Sequence, residues 1–221
     1  MHPTLAKLMT RAAAPLLAAA GAALLAGCAA AGKAPANTQY DFGSPAAPAG
    51  ALGAIGAAGA AQAMPALVLT DVTGNAAFDN ERMYYRLNYA DPLQARAYAN
   101  SRWSSTPLQM LTQRLKSRVA QAGIKVLSAT DASTGVPLLR IDVDDFTHSF
   151  DSTTSSYGQL VLRASLFQGH TLLDQRTFSR KVDAASADAG GGARALAQAT
   201  DAVAADMIAW LATKTPPARA Q

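Results

Sequence analysis

Cysteine is nearly absent from this chain, with one in 221 residues. A single thiol excludes an intramolecular disulfide and any zinc site built on several cysteines. Histidine occurs three times and aromatic residues make up 6%. Hydrophobic residues reach 50%, but about a quarter of the chain is alanine, which buries little surface. The core must therefore come from a few strongly patterned stretches. Charged residues are also sparse at 15%, with Lys+Arg 19 against Asp+Glu 15. Two of those cations, Lys7 and Arg11, belong to a leader, which leaves 17 against 15 scattered along the chain. That balance excludes the basic footprint of a nucleic-acid binder. The length suits one ordinary domain with extras.

What is present begins with an address. Lys7 and Arg11 precede an uncharged run from Ala12 to Gly27, followed by Cys28. Cations ahead of a short apolar stretch and small residues form a secretory signal peptide. The run falls short of the roughly 20 residues that a membrane-spanning helix needs. Leu25-Ala26-Gly27-Cys28 resembles the bacterial lipobox, in which a peptidase cuts between the small residue and the cysteine. The resemblance implies cleavage at Gly27–Cys28 and acyl chains on both the sulfur and the amine of Cys28. Two or more chains anchor a protein stably where one does so only marginally. Ala29 in place of an aspartate implies sorting to the periplasmic face of the outer membrane.

Residues 28–37 read as a flexible tether of Ala, Gly, Lys and Pro, and 44–64 as a low-complexity Ala/Gly insert. Between them, Tyr40 and Phe42 alternate like a short strand. The organisation is then signal peptide 1–27, tether 28–37, a domain over 38–213 carrying the insert 44–64, and a disordered tail 214–221.

Within the domain, Leu67–Val72 reads as an apolar strand. Met83, Tyr85, Leu87 and Tyr89 alternate with Arg82, Arg86 and Asn88, the signature of a half-buried strand. Asp91-Pro92 then leads into a turn or short helix over Ala95–Asn100. Pro107 suits the first position of a helix, with Ser104, Ser105 or Thr106 as cap. Leu108, Leu111, Leu115 and Val119 give that helix one apolar stripe ending near Gly123. Arg114, Lys116 and Arg118 cover its other faces, where a solvated role outweighs a lipid-phosphate patch. Further strands are expected at Ile124–Leu127, Leu138–Phe146, Leu160–Phe167 and Leu172–Val182, the last two joined by a hairpin at Gly169. Gly190-Gly191-Gly192 releases the chain into a final helix striped by Leu196, Val203, Trp210 and Leu211. The fold class expected is α+β, a largely antiparallel sheet with two amphipathic helices on it.

The run Met83-Tyr84-Tyr85-Arg86-Leu87-Asn88-Tyr89-Ala90-Asp91-Pro92, then Tyr98-Ala99-Asn100-Ser101-Arg102-Trp103 and Pro107-Leu108, is similar to the ABC-type transport auxiliary lipoproteins. These are the PqiC-like lipoproteins of MCE-type lipid transport systems, whose first strand Tyr40-Asp41-Phe42-Gly43 also resembles. The resemblance implies a small periplasmic α+β domain without enzymatic chemistry. It also implies an MCE-domain protein and an ABC permease and ATPase as partners, phospholipid as cargo, and no cofactor.

The rival readings are weaker. His148 stands near Asp144, Asp145, Ser152, Ser155 and Ser156, but neighbours in a polar loop rarely converge into a triad. No G-x-S-x-G elbow occurs. Asp142, Asp144 and Asp145 lack the glycine and distal glutamate of a calcium loop, and read as a solvated strand edge. The triple glycine lacks the Lys-Ser/Thr of a phosphate loop. Trp103 and Trp210 read as core, with contact to a partner or lipid as the lesser role for Trp103. A structural or assembly lipoprotein unconnected with transport is the alternative function.

Overall fold

The computed structural model describes residues 37–44, 64–131 and 135–214. The expected signal peptide, Gly27 and Cys28, the expected tether up to residue 36, the insert from 45 to 63 and the expected tail from 215 lie outside the described residues.

Among the described residues nine strands and two long helices follow one another. They are β1 (Thr38–Tyr40), β2 (Ala66–Leu69), β3 (Thr73–Gly74), β4 (Arg82–Leu87), β5 (Asp91–Trp103), α1 (Pro107–Gln121), β6 (Lys125–Leu127), β7 (Leu138–Phe150), β8 (Ser156–Gln168), β9 (Thr171–Asp183) and α2 (Ala189–Ala212). All nine strands join one sheet, with β7 at its centre. β8 pairs with β7 along its whole length and β9 pairs with β8, both antiparallel. The other edge of β7 is shared in succession by β2, β3 and β4, each parallel to it. β6 extends the sheet beyond β2, while β5 and then β1 extend it beyond β4.

The sheet is mixed, which corrects the expectation of a largely antiparallel one. Five of the eight pairings are parallel, although each of these is only two or three residues long. Alternation marks a strand and its buried face, but it carries no information on the direction of the neighbour. The all-apolar run of β2 held a hint, because Leu67, Val68 and Leu69 are all buried between two parallel neighbours.

The stretch Ala95–Asn100 is strand, not turn or short helix. It shows no alternation because β5 is exposed on both faces from Asp91 to Ala97. Backbone pairing with β4 holds it extended. Alanine's helix preference is a weak local term that such a ladder overrides.

The first helix starts where its cap predicts, whereas the last starts at Ala189, ahead of the triple glycine expected to precede it. Thr106 accepts a hydrogen bond from the Gln109 amide and Pro107 opens α1. Asp188 does the same for the Gly191 amide at the start of α2. Leu111, Leu115 and Val119 of α1, and Leu196, Val203, Trp210 and Leu211 of α2, are buried. α2 lies across β7, β8 and β9 and against α1. The hairpin between β8 and β9 turns at Gly169, whose φ is +60°. No other residue of that turn has positive φ, so only the type II′ pattern with glycine first fits.

One irregularity decides the inner face of β7. A bulge at Asp144 shifts the register between Val143 and Asp145. Before it Leu139, Ile141 and Val143 point inward; after it the inward set is Phe146, His148 and Phe150. β7 also continues four residues past the expected end at Phe146. His148 is therefore not in a polar loop. It is 0% exposed in the middle of a strand.

Candidate functional site

The first described strand, β1, and the β4–β5 hairpin form one margin of the sheet. β1 runs parallel to β5 and meets only its last residues, Thr38 opposite Ser101 and Tyr40 opposite Trp103. From Asp91 to Asn100 the outer edge of β5 therefore has no strand beside it among the described residues. The hairpin turns at Asn88–Ala90, where the Ala90 amide donates to the Leu87 carbonyl at 2.9 Å. Arg86 Nη1 reaches across it to the carbonyls of Pro92 and Leu93 at 3.2 and 3.3 Å. The Asn88 amide donates to the Phe150 carbonyl at 2.9 Å, and its side chain donates to the Tyr157 hydroxyl at 3.0 Å. The tip is thus fixed to the β7–β8 end of the sheet. At that tip Leu93 is 88% exposed and Tyr89 48%.

Beneath this margin β1 is held by three contacts. The Ser104 amide donates to the Tyr40 carbonyl at 2.8 Å. Phe42 stacks its edge on Trp103 and leans on Phe146, with ring centroids 5.9 Å away in both cases. Arg114 Nη1 donates to the Gly43 carbonyl at 3.0 Å. Trp103 itself is 1% exposed, a core residue covered by Phe42. A lipid or partner reaches it only if Phe42 is displaced.

Arg114 and Arg118 do not make a solvated face, and this corrects the sequence expectation. Both guanidinium groups fork onto Asp201 of α2, Arg114 through two contacts of 2.7 Å and Arg118 through contacts of 2.7 and 2.5 Å. Arg114 is 7% exposed. Burial opposes ionisation of Asp201, yet hydrogen bonds from Arg118 and Arg114 carry its carboxyl below the usual range. Lys116 pairs instead with exposed Asp71 at 2.8 Å, a contact of small energetic weight. The cleft between Asp41–Gly43 and α1 has a volume of about 320 Å³. Its buried cation is already engaged by Asp201 and Gly43, so this is not a deep apolar ligand pocket.

A second buried polar pair was missed entirely by the sequence reading. Tyr98 of β5 and Nδ1 of His148 are hydrogen-bonded at 2.8 Å. The His148 ring also packs on Phe150 at 4.5 Å, and Tyr85 covers Tyr98 at 4.5 Å. Burial pushes the imidazole down to about 4, against a smaller pull from Asp188, so it is neutral near pH 7. Burial also raises the Tyr98 hydroxyl above its usual value. Nε2 of His148 and Oγ of Ser156 have no hydrogen-bond partner among the described residues.

The serines and aspartates near His148 in sequence do not form a triad with it. Ser152 and Ser155 bond to one another's backbone in the β7–β8 turn. Asp145 accepts from Thr147 and Gln159. Asp142 accepts from Thr73, and Asp144 lies 4.0 Å from Arg163. No three His, Cys, Asp or Glu side chains among the described residues are placed to hold a metal ion. No described helix is long and apolar enough to cross a membrane.

A mixed sheet backed by two helices uses most of its buried polar groups internally, and leaves the outer edges of β6, β9 and β5 from Asp91 to Asn100 without a strand beside them among the described residues. The family model for the ABC-type transport auxiliary lipoprotein component matches residues 50–208, and the chain belongs to that family. It is a lipoprotein of the transport-auxiliary type. Solved structures share the fold. A Xanthomonas campestris protein aligns with TM-score 0.59 and 21% identity over 67% of this chain and 84% of its own. An uncharacterised protein aligns at 0.58 and 16% over 67% and 93%. No curated protein matches the sequence significantly.

Proposed function

We propose that this protein is a non-catalytic docking component of an ABC/MCE-type intermembrane lipid transport system. It is held by acylated Cys28 at the periplasmic face of the outer membrane. The observation that carries this reading is the open edge of β5 beside the anchor-proximal strand. His148 is buried with Nδ1 hydrogen-bonded to Tyr98, and Arg114 is buried and engaged by Asp201 and the Gly43 carbonyl. The outer edge of β5 offers ten residues of unpaired strand backbone among the described residues, and that of β9 a further thirteen, either of which another chain can extend by hydrogen bonding; the β5 edge is the one beside the strand nearest the lipidated residue. Anchoring supports the role physically, because tethering raises the concentration of the edge at the membrane end of a periplasmic conduit. The partners in this reading are an MCE-domain protein and its permease and ATPase, and the cargo is phospholipid.

Affinity purification of the full-length chain from crosslinked membranes tests this. The MCE-domain protein, permease and ATPase are expected to be recovered together. Recovery should fall when Cys28→Ala removes lipid labelling and detergent-phase partitioning. Unchanged partitioning of that variant refutes anchoring at Cys28. Recovery of envelope-assembly proteins without transporter subunits refutes the transport role.

A further inference from the structure

We infer that the open edge of β5 takes an acidic, extended segment of a partner chain, with its carboxylates held by Arg82 and Arg102. This rests on the docking role proposed above and names the chemistry of the partner.

Arg82 of β4 and Arg102 of β5 are directly opposed across the two strands. Their sequence neighbours Met83 and Trp103 are buried in the core, so both arginines stand on the other face of the sheet. Both are exposed. Like charges directly opposite one another destabilise a ladder. The chain holds 15 aspartates and glutamates, all of them among the described residues. None forms an ion pair with Arg82 or Arg102. Glu81 lines the same cleft and pairs with neither. On the far side of Arg102, β1 places the neutral Gln39. No carboxylate side chain of this protein offsets the two cations, and an anion that does so comes from another molecule.

The surroundings favour a polypeptide carboxylate over a lipid phosphate. Arg82 and Arg102 line a cleft of about 600 Å³ together with Ala97, Ala99 and Ser101. Ala97 and Ala99 belong to the stretch of β5 that has no strand on its outer side among the described residues. A strand added there satisfies the free backbone groups. Its side chains on the helix-free face then pass over two alanines, which leave room for longer groups to reach the arginines. Guanidinium and carboxylate planes match in two-point pairs. A headgroup phosphate would answer the charge and leave the ladder unpaired.

The other long open edge lacks this feature. On β9, Arg180 pairs with Asp206, Lys181 pairs with Asp151, and Arg176 lies over the Phe178 ring at 5.4 Å. Uncompensated, directly opposed cations therefore mark β5 and not β9.

The test uses the full-length chain with benzoylphenylalanine at Ala95, on the open β5 edge, or at Thr177, on β9. Cells producing it are illuminated and the crosslinked peptides sequenced. Position 95 is expected to capture a segment with Asp or Glu at alternate positions. Its yield should fall about ten-fold in Arg82→Gln/Arg102→Gln and hold in Arg176→Gln. Arg102→Glu separates binding from folding, because it gives Arg82 a partner inside the ladder. Its Tm should rise while the crosslink is lost. No capture at 95, a segment without acidic residues, a lipid adduct at 95, or an equal loss in Arg176→Gln overturns the acidic partner. Transporter subunits that co-purify undiminished with Arg82→Gln/Arg102→Gln also overturn it, and leave the transport role standing. An acidic segment captured from a protein outside the transport system upholds the surface and overturns the transport role.

Discussion

Gly192, on the first turn of α2, lies flat against the His148 ring; a Cβ built on Gly192 would stand 2.3 Å from Nδ1. The cross-strand partner of His148, Gly158, meets the same helix, where a Cβ would stand 2.6 Å from the Leu196 amide. The triple glycine therefore lies inside the helix and does not release the chain into it, and Gly192 is its member that meets His148. It lets α2 settle on a buried imidazole.

Gly192→Ala tests this contact. Helix propensity favours alanine by about 1 kcal/mol, but the overlap falls on a rigid ring and overpacking costs about 1–3 kcal/mol. The clash is expected to win, with a lower denaturant midpoint for the variant. Combining it with His148→Ala should recover most of the loss, read as a coupling in a double-mutant cycle. Additive losses would place the strain elsewhere.

His148 also makes the fold acid-sensitive. Its imidazole is held down to about 4 by burial, whereas in the unfolded chain it titrates near ~6.5. Between those values the unfolded state takes up a proton that the folded state refuses. Its contribution is fully present above about pH 6.5 and declines as pH falls toward 4, by about 3 kcal/mol in all. Denaturant titrations from pH 7.5 to 4.5 should show that slope. His148→Phe should flatten it, and an unchanged slope in that variant assigns the effect to other groups.

Asp201 joins the helices through two buried-side guanidinium groups. Asp201→Ala leaves Arg114 and Arg118 beside one another without their shared carboxylate. Breaking a fully buried pair costs about 3–5 kcal/mol; with Asp201 partly solvated the expected loss is about 2–3 kcal/mol. Thermal melting and urea titration read it. The Arg114–Gly43 contact predicts that Arg114→Met also speeds amide exchange at Phe42 and Gly43 while β8 stays protected.

Trp103→Ala empties the space between Phe42 and Phe146, and a buried tryptophan truncation costs about 3–5 kcal/mol. A large fall in Tm is expected. Lost partner recovery at an unaltered Tm would instead make Trp103 an interface residue.

Much of the fold was legible in the chain itself. Alternation located β4 and most of β7, β8 and β9; caps at Thr106 and Pro107 and stripes at four-residue spacing located the helices; and Gly169 marked a turn that needs positive φ. These are local signals, written in neighbouring residues. The family likeness was legible for the same reason. What only the tertiary structure decided were the parallel pairings, the extended path of Ala95–Asn100, the burial of His148 and the charge cluster on Asp201. Each depends on groups tens of residues apart: β4 beside β7, Tyr98 against His148, Arg114 against Asp201. The Asp144 bulge shows why. One inserted residue reverses which side chains point inward, and strict alternation would have put His148 in solvent with Asp142 and Asp144.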